Sequence, residues 1–177
     1  DGLDERHGGG DGAAALGAEE LLEGLAQGYT LLLPRAEGAF PRLGRLVAAL
    51  GAEMGLVGNC ALYWTPQGGC QGFETHFDDH CVFVVQLQGS KRWRLHGGGA
   101  APEVLPLLGE KAAAGAGGAP GRPPHDPAEV ELRPGDVLYI PRGVPHDAMT
   151  LAACSVHATV GLEAPIGLTW GGALHLS

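Results

Sequence analysis

The sequence predicts a mostly β fold, a small double-stranded barrel of antiparallel strands that carries helices on its N-terminal side. Three observations lead there. Apolar and polar residues alternate with a period of two from Val57 onward, whereas helical spacing is confined to the residues before it. The strand-like runs are short and set apart by Gly and Pro turns, as at Gly89-Ser90 and Pro134-Gly135. A chain of 177 residues suits one domain with a real core, and closing its strands on themselves leaves no exposed sheet edge.

Residues 1–12 are rich in Gly and Asp and are expected to form a disordered tail. Residues 13–56 are expected to decorate the barrel. Ala13 to Ala26 sets Ala and Leu against Glu at helical spacing, with Gly28 as the stop. Tyr29 to Leu33 reads as a short strand ended by Pro34. Phe40 to Met54 places Leu43, Leu46, Val47 and Leu50 three and four residues apart, which is an amphipathic helix.

The barrel spans 57–177. Its first strand puts Asn59, Ala61 and Tyr63 on one face and Cys60, Leu62 and Trp64 on the other. Thr65 to Gly72 is a Gly-rich loop. His76 to Leu95 gives two apolar runs around Gly89-Ser90, the pattern of a hairpin. Residues 96–127 are read as a Gly/Pro-rich insertion loop. Glu129 to Leu132, Val137 to Ile140 and Cys154 to Val160 supply further strands.

Composition narrows the class. The 31 Gly and 13 Pro make up about a quarter of the chain, close to the share seen in low-complexity sequence, and the insertion loop holds much of the surplus. A net charge of -9 argues against a nucleic-acid surface and suits attraction of a basic protein. Cys60, Cys70, Cys81 and Cys154 show no C-x-x-C spacing and no disulfide framework, so a reduced intracellular compartment is expected. No apolar run approaches the roughly 18 residues of a membrane span. The first twelve residues lack the basic start and apolar core of a signal peptide. The chain starts without Met and stops soon after a strand-like run, and is expected to be a fragment of something longer.

His76, Asp78 and His146 are the candidate catalytic and metal residues. On a regular strand His76 and Asp78 project from one face, so adjacent rungs can chelate a metal. His146 follows the strand Val137 to Ile140 and the stiff turn Pro141-Arg142-Gly143-Val144-Pro145. Two imidazoles and one carboxylate on one side of iron leave the other positions open for a co-substrate and O₂. Taken alone, an H-x-D pair is more often a surface polar group; the distant His after its turn is what singles this one out.

Lys91 opens the strand after Gly89-Ser90 and shares a face with Trp93 and Leu95. Buried, it would need an anionic partner, which the distal carboxylate of a dicarboxylate co-substrate supplies. Exposed, it is one charge of the surface run Lys91-Arg92-Trp93-Arg94. Periodicity leaves both readings open. His80 would point with His76 and Asp78, as a rim or substrate contact, and His157 is expected to pack and hydrogen-bond inside the barrel. No role is assigned to His96, His125 or His175. Neither a phosphate loop nor a Gly-x-Ser-x-Gly elbow is present.

His76-Phe77-Asp78-Asp79 with Phe83, Gln86-Leu87, Gly89, Lys91 and Trp93 resembles the H-Y-D-D-x-x-x-F-x-x-Q-L-x-G-x-K-x-W signature of JmjC-domain ribosomal oxygenases. Tyr63-Trp64-Thr65-Pro66 and Gln71-Gly72-Phe73 are similar to that group's Y-L-T-P and Q-G-F segments. Gly135 to Gly143 with His146 is similar to its G-D-L-L-Y-F-P-R-G-x-x-H, Ser155 to Thr159 to its S-L-H-L-T, and Thr169-Trp170-Gly171 to its T-W-G. The anchors run from about Gly28 to the C-terminus.

The resemblance implies a double-stranded β-helix of the cupin or jelly-roll kind and an Fe(II)- and 2-oxoglutarate-dependent dioxygenase consuming O₂. His76, Asp78 and His146 would hold the iron, and Lys91 the distal carboxylate of 2-oxoglutarate. Tyr63 is a further co-substrate contact by its place in the Y-L-T-P segment. Asn59 shares its strand face and stands in for the Asn that the family carries where this chain has Ala61. The implied reaction is hydroxylation of a protein side chain, histidine of a ribosomal protein, in the nucleus or nucleolus of a eukaryote. Histone lysine demethylation by the same mechanism is the alternative, and a non-catalytic cupin-like binding module is another. Members of the group dimerise through a helical segment after the barrel, so a homodimer is expected through segments absent from this chain.

Overall fold

The computed structural model describes residues 17–69, 72–99, 127–151 and 154–163. The tail 1–12, most of the insertion loop and Thr169-Trp170-Gly171 lie outside them. Helix α1 (Ala18–Ala26) starts where the Glu20 carboxylate accepts the Gly17 backbone N–H at 2.9 Å, and it ends before Gly28, whose φ of 89° no β-carbon favours. Strand β1 (Leu31–Leu33) and a short helix α2 (Ala36–Ala39) follow, the latter unexpected from the sequence. Helix α3 (Pro41–Met54) has Pro at its first position and Gly55 at its left-handed C-terminus.

The β residues form two sheets. Strands β2 (Val57–Thr65), β3 (Cys81–Gln88), β6 (Val137–Ile140) and β8 (Ser155–Glu163) join β1 in a five-stranded sheet, ordered β1-β2-β8-β3-β6. Strands β4 (Lys91–Leu95), β5 (Ala128–Leu132) and β7 (His146–Thr150) make a three-stranded sheet, ordered β5-β4-β7. All pairings are antiparallel. The mostly β barrel with N-terminal helices is therefore present.

Period-two alternation divides the large sheet between two cores. The outer residues of β2 and β8, Cys60, Ala158, Val160 and Leu162, pack under Ala36 and Val47 of the helices. Glu37 fastens α2 there by accepting the Cys60 backbone N–H at 2.8 Å. Between the sheets, Val82, Val84 and Ile140 meet Trp93, Leu132 and Val144. Each such side chain removed from water contributes roughly 1.5–3 kcal/mol.

Three expectations are corrected. Gly89-Ser90 is no hairpin: β3 pairs with β6 and β8, whereas β4 pairs with β5 and β7, so the chain crosses from one sheet to the other. A bulge between Gln86 and Gln88 starts the departure, and the Gln86 amide donates to the Gln88 carbonyl and to the Ser155 hydroxyl, both at 2.8 Å. Gly89 then turns with φ 64°, so close to Cys154 that a β-carbon would overlap its carbonyl oxygen. The second correction is local: residues 77–80 are not strand, and β3 begins only at Cys81. Third, the insertion opens with a 3₁₀ turn, His96–Gly99, before leaving the described residues.

Gly89→Ala should cost about 3 kcal/mol or more, combining left-handed strain with a backbone clash. Gly97→Ala, at φ 71° with nothing near its β-carbon, should cost about 1 kcal/mol. Urea midpoints compare the two, and equal losses would sink this account of the crossing.

Candidate metal centre

His76 and His146 meet through a two-bond antiparallel bridge, the N–H of each donating to the carbonyl of the other at 3.1 and 2.7 Å. The segment ahead of His76 continues along the free edge of β7: the Gly69 and Gly72 amides donate to the carbonyls of Thr150 and Ala148. Asp78 is stitched to the turn before His146, since its carbonyl accepts the Gly143 N–H at 2.7 Å. Backbone pairing, rather than a regular strand, thus sets the spacing of the three residues.

Their side chains converge. One donor atom from each of His76, Asp78 and His146 lies within 4.8 Å of the others, and His146 Nε2 is 3.8 Å from an Asp78 carboxylate oxygen. Both rings are oriented from behind. His76 Nδ1 donates to the Glu74 carbonyl at 2.7 Å and His146 Nδ1 to the Val144 carbonyl at 2.9 Å. A carbonyl only accepts, so each Nδ1 carries the proton and each Nε2 keeps its lone pair, the tautomer a metal requires. Burial, then the neighbouring His76, pulls the His146 pKa below that of a free imidazole, which favours the neutral ligand form. The donor set fits a divalent metal with open positions.

A cavity of about 450 Å³ opens over these residues, walled by Tyr63, Phe73, Val82, Val84 and Trp93. Lys91 lines it and is 2% exposed, which decides between its two readings in favour of burial. Register places Lys91 opposite Thr150 and Leu95 opposite His146, so Lys91 stands four residues, roughly 13 Å of strand, from the imidazole end. Its ammonium is 3.4 Å from His157 Nδ1. Burial, and then the Lys91 charge, hold His157 well below the usual imidazole range, so its Nδ1 accepts. No carboxylate pairs with Lys91 among the described residues, and burial lowers its pKa to about 8. Gly72 passes overhead, where a β-carbon would lie 3.7 Å from the ammonium.

Tyr63 stacks on His157 with ring centres 4.7 Å apart, and its phenol is pushed up to about 12 by burial, then by the Asp78 carboxylate. Trp93 Nε1 is buried without a hydrogen-bond partner among the described residues. Asn59 shares the Tyr63 face but does not line the cavity; its amide oxygen and His80 Nε2 lie 3.0 and 2.7 Å from where a β-carbon on Gly161 would stand. Nor does His80 line the cavity, and its Nδ1 donates to Asp79 at 2.7 Å. The irregular backbone at 77–80 accounts for that, because a regular strand would have aimed His80 with His76.

Sequence reasoning missed one cluster. The Asp147 side chain, 1% exposed, accepts from Arg94 at 2.6 Å, His96 at 2.7 Å and Thr75 at 3.0 Å. Burial pushes this carboxyl up, but the bonds from His96, Arg94 and Thr75 more than offset it and hold it below the usual range. Asp147 faces Arg94 directly across β7 and β4, a cross-strand charge pair visible only once the register is known.

The two-sheet barrel and the convergence at its mouth define a cupin-type barrel with a candidate metal face. Residues 45–169 match the JmjC domain, and the chain belongs to that family. It is similar to ribosomal oxygenase 2 of Bos taurus, 39% identical over 120 residues, which is 67% of this chain and 24% of that one. It is also similar to the bifunctional lysine-specific demethylase and histidyl-hydroxylase NO66 of Dictyostelium discoideum, 40% identical over 62% of this chain and 20% of the other. Among solved structures, the ribosomal oxygenase YcfD of Escherichia coli in complex with cobalt and 2-oxoglutarate aligns with a TM-score of 0.50 and 25% identity, over 77% of this chain and 32% of that one. The chain thus spans about a quarter of the length of the ribosomal oxygenase 2 it matches.

Lys91→Met keeps the shape and removes a desolvated charge, so it should stabilise the metal-free chain below pH 8 by on the order of 3 kcal/mol. From pH 8 to 10.5 the folded wild type sheds this proton while its unfolded chain keeps it, so wild-type stability should climb towards that of K91M. Urea unfolding at pH 7 and pH 10 measures the gap, and a gap that does not narrow contradicts the assignment.

Proposed function

We propose that this chain is the catalytic barrel of an Fe(II)- and 2-oxoglutarate-dependent dioxygenase that hydroxylates a protein side chain. One observation carries the reading: two imidazoles with protonated Nδ1 atoms and one carboxylate converge in a cavity that also holds a buried lysine with no carboxylate partner among the described residues. In this reading His76, Asp78 and His146 hold the iron and Lys91 binds the distal carboxylate of 2-oxoglutarate. Tyr63 shapes the wall beside it, while Asn59 has the weaker claim as a co-substrate contact because it does not line the cavity.

Iron(II) with 2-oxoglutarate supplies the activation of O₂ that oxygenation of an unactivated C–H bond requires. The chain's own work is to bind, orient and exclude water. Lys91, already desolvated, offers a full charge to a carboxylate without first shedding water. His157 holds that ammonium from one side through an accepting Nδ1. Trp93 lines the same cavity, and its Nε1 is a donor with no partner among the described residues. Phe73, Val82 and Val84 keep the floor dry.

The relatives' names support a ribosomal protein as substrate and histidine as the target; in a eukaryote this reading places the work in the nucleus or nucleolus. The name of the Dictyostelium relative also supports demethylation of a methylated lysine as a second reading. No helix among the described residues is long and apolar enough to cross a membrane.

Anaerobic addition of Fe(II) and then 2-oxoglutarate should produce the visible charge-transfer band of the chelate. His76→Ala and Asp78→Ala should lose both band and turnover, whereas Lys91→Ala should mainly raise the 2-oxoglutarate requirement. In the wild type that requirement should rise above about pH 8, as Lys91 loses its charge. Mass spectrometry of ribosomal-protein and methyl-lysine peptides separates hydroxylation from demethylation. Full 2-oxoglutarate-dependent turnover in either triad variant would refute the ligand assignment.

A further inference from the structure

The bridge between His76 and His146 is a single pair of backbone bonds, and the chain leaves strand geometry immediately after it. Backbone bonds flank it on both sides, Gly72 N–H to the Ala148 carbonyl before it and Gly143 N–H to the Asp78 carbonyl after it, but none is made by Glu74 or Thr75 themselves to β7. A second tether sits one residue away. Thr75 Oγ1 donates to Asp147 Oδ2 at 3.0 Å, joining the residue before His76 to the residue after His146. Asp147 is itself held on both oxygens: Arg94 of β4 takes Oδ1 through Nε and Nη2, each at 2.6 Å, and His96 Nε2 donates to Oδ2 at 2.7 Å. Because Asp147 follows His146 on β7, its side chain leaves the opposite face of the strand.

A cluster of this kind contributes little net stability, since desolvating the carboxylate and the guanidinium roughly cancels their attraction. What it does supply is registry. We propose that Asp147 is a positioning residue for the metal face, holding Thr75 against β7 and β4 and so setting the separation of His76 from His146. The proposal rests on the reading of His76, Asp78 and His146 as metal ligands.

The test is Co(II) affinity of the 177-residue chain, read from the visible absorption of the bound ion, in the wild type and in T75A, T75S, D147N and H76A. T75A and D147N should each bind Co(II) about tenfold more weakly or worse, the effect typical of groups that orient ligands from behind. T75S, which keeps the hydroxyl, should bind as the wild type does, and metal-free T75A should still unfold in one cooperative transition. If D147N fails to fold, the Thr75 pair alone decides. Wild-type affinity in T75A, or T75S no better than T75A, overturns the clamp while leaving the metal reading intact. No Co(II) binding by the wild type, or undiminished binding by H76A, overturns the metal reading and the clamp with it.

Discussion

The antiparallel bridge between His76 and His146 is the contact on which the rest of the site depends. It joins residues seventy positions apart, so its two hydrogen bonds could not by themselves offset the entropy of closing so long a loop. The barrel does that work. Pairing of β7 with β4 and of β3 with β8 brings the two segments together, and the bridge then completes the free edge of β7. Once it has formed, His76 and His146 share a rung, and the Gly143 amide fixes Asp78 beside them. The candidate metal face is thus framed by main-chain bonds that depend on the turn at Pro141-Arg142-Gly143, with the Thr75–Asp147 side-chain contact behind them.

The barrel interior is divided in a way that costs stability. Its inner face carries Lys91, His157, Gln86, Thr150 and Ser155, all buried, alongside the valines that close the core. Among their buried polar atoms, Gln86 Oε1, Trp93 Nε1 and Thr150 Oγ1 have no partner among the described residues. Such polar burial has to be offset by apolar burial. Part of it is the interior's own cluster of Val82, Val84, Trp93, Leu132, Ile140 and Val144, and part lies on the other side of the large sheet, where the helices cover Cys60, Ala158, Val160 and Leu162. The N-terminal helices are therefore part of the barrel's stability, and they free its interior for binding.

Much of this was legible in the sequence, and the misses share a cause. Helix α3 and strand β2 are legible through local periodicity, and the candidate metal residues through the turn before His146. Where the outcome depended on which strand lies beside which, local pattern failed. Gly89-Ser90 carries the same signal whether the chain folds back on β3 or crosses to the other sheet, because turn chemistry is local and partner choice is not. Asp147 looked like an ordinary acidic residue until register set it opposite Arg94 and beside Thr75. For Asn59, period two gives the correct face but not the position along the strand, and the cavity lies at the Tyr63 end.

The crossing at Gly89 also explains why the lysine sits two residues after it. In a hairpin, Lys91 would lie in the same sheet as β3, with its ammonium leaving that sheet alongside its neighbours. Because the strand crosses instead, Lys91 begins the opposing sheet and reaches back across the barrel towards His157 on β8. Gln86, by binding the Gln88 carbonyl and the Ser155 hydroxyl, holds β3 to β8 at the last rung before the departure. The bulge, the left-handed glycine and the buried glutamine therefore act together to deliver one cation to the far end of a cavity from the imidazoles. A hairpin at that point would preserve every local preference of the sequence and lose the site.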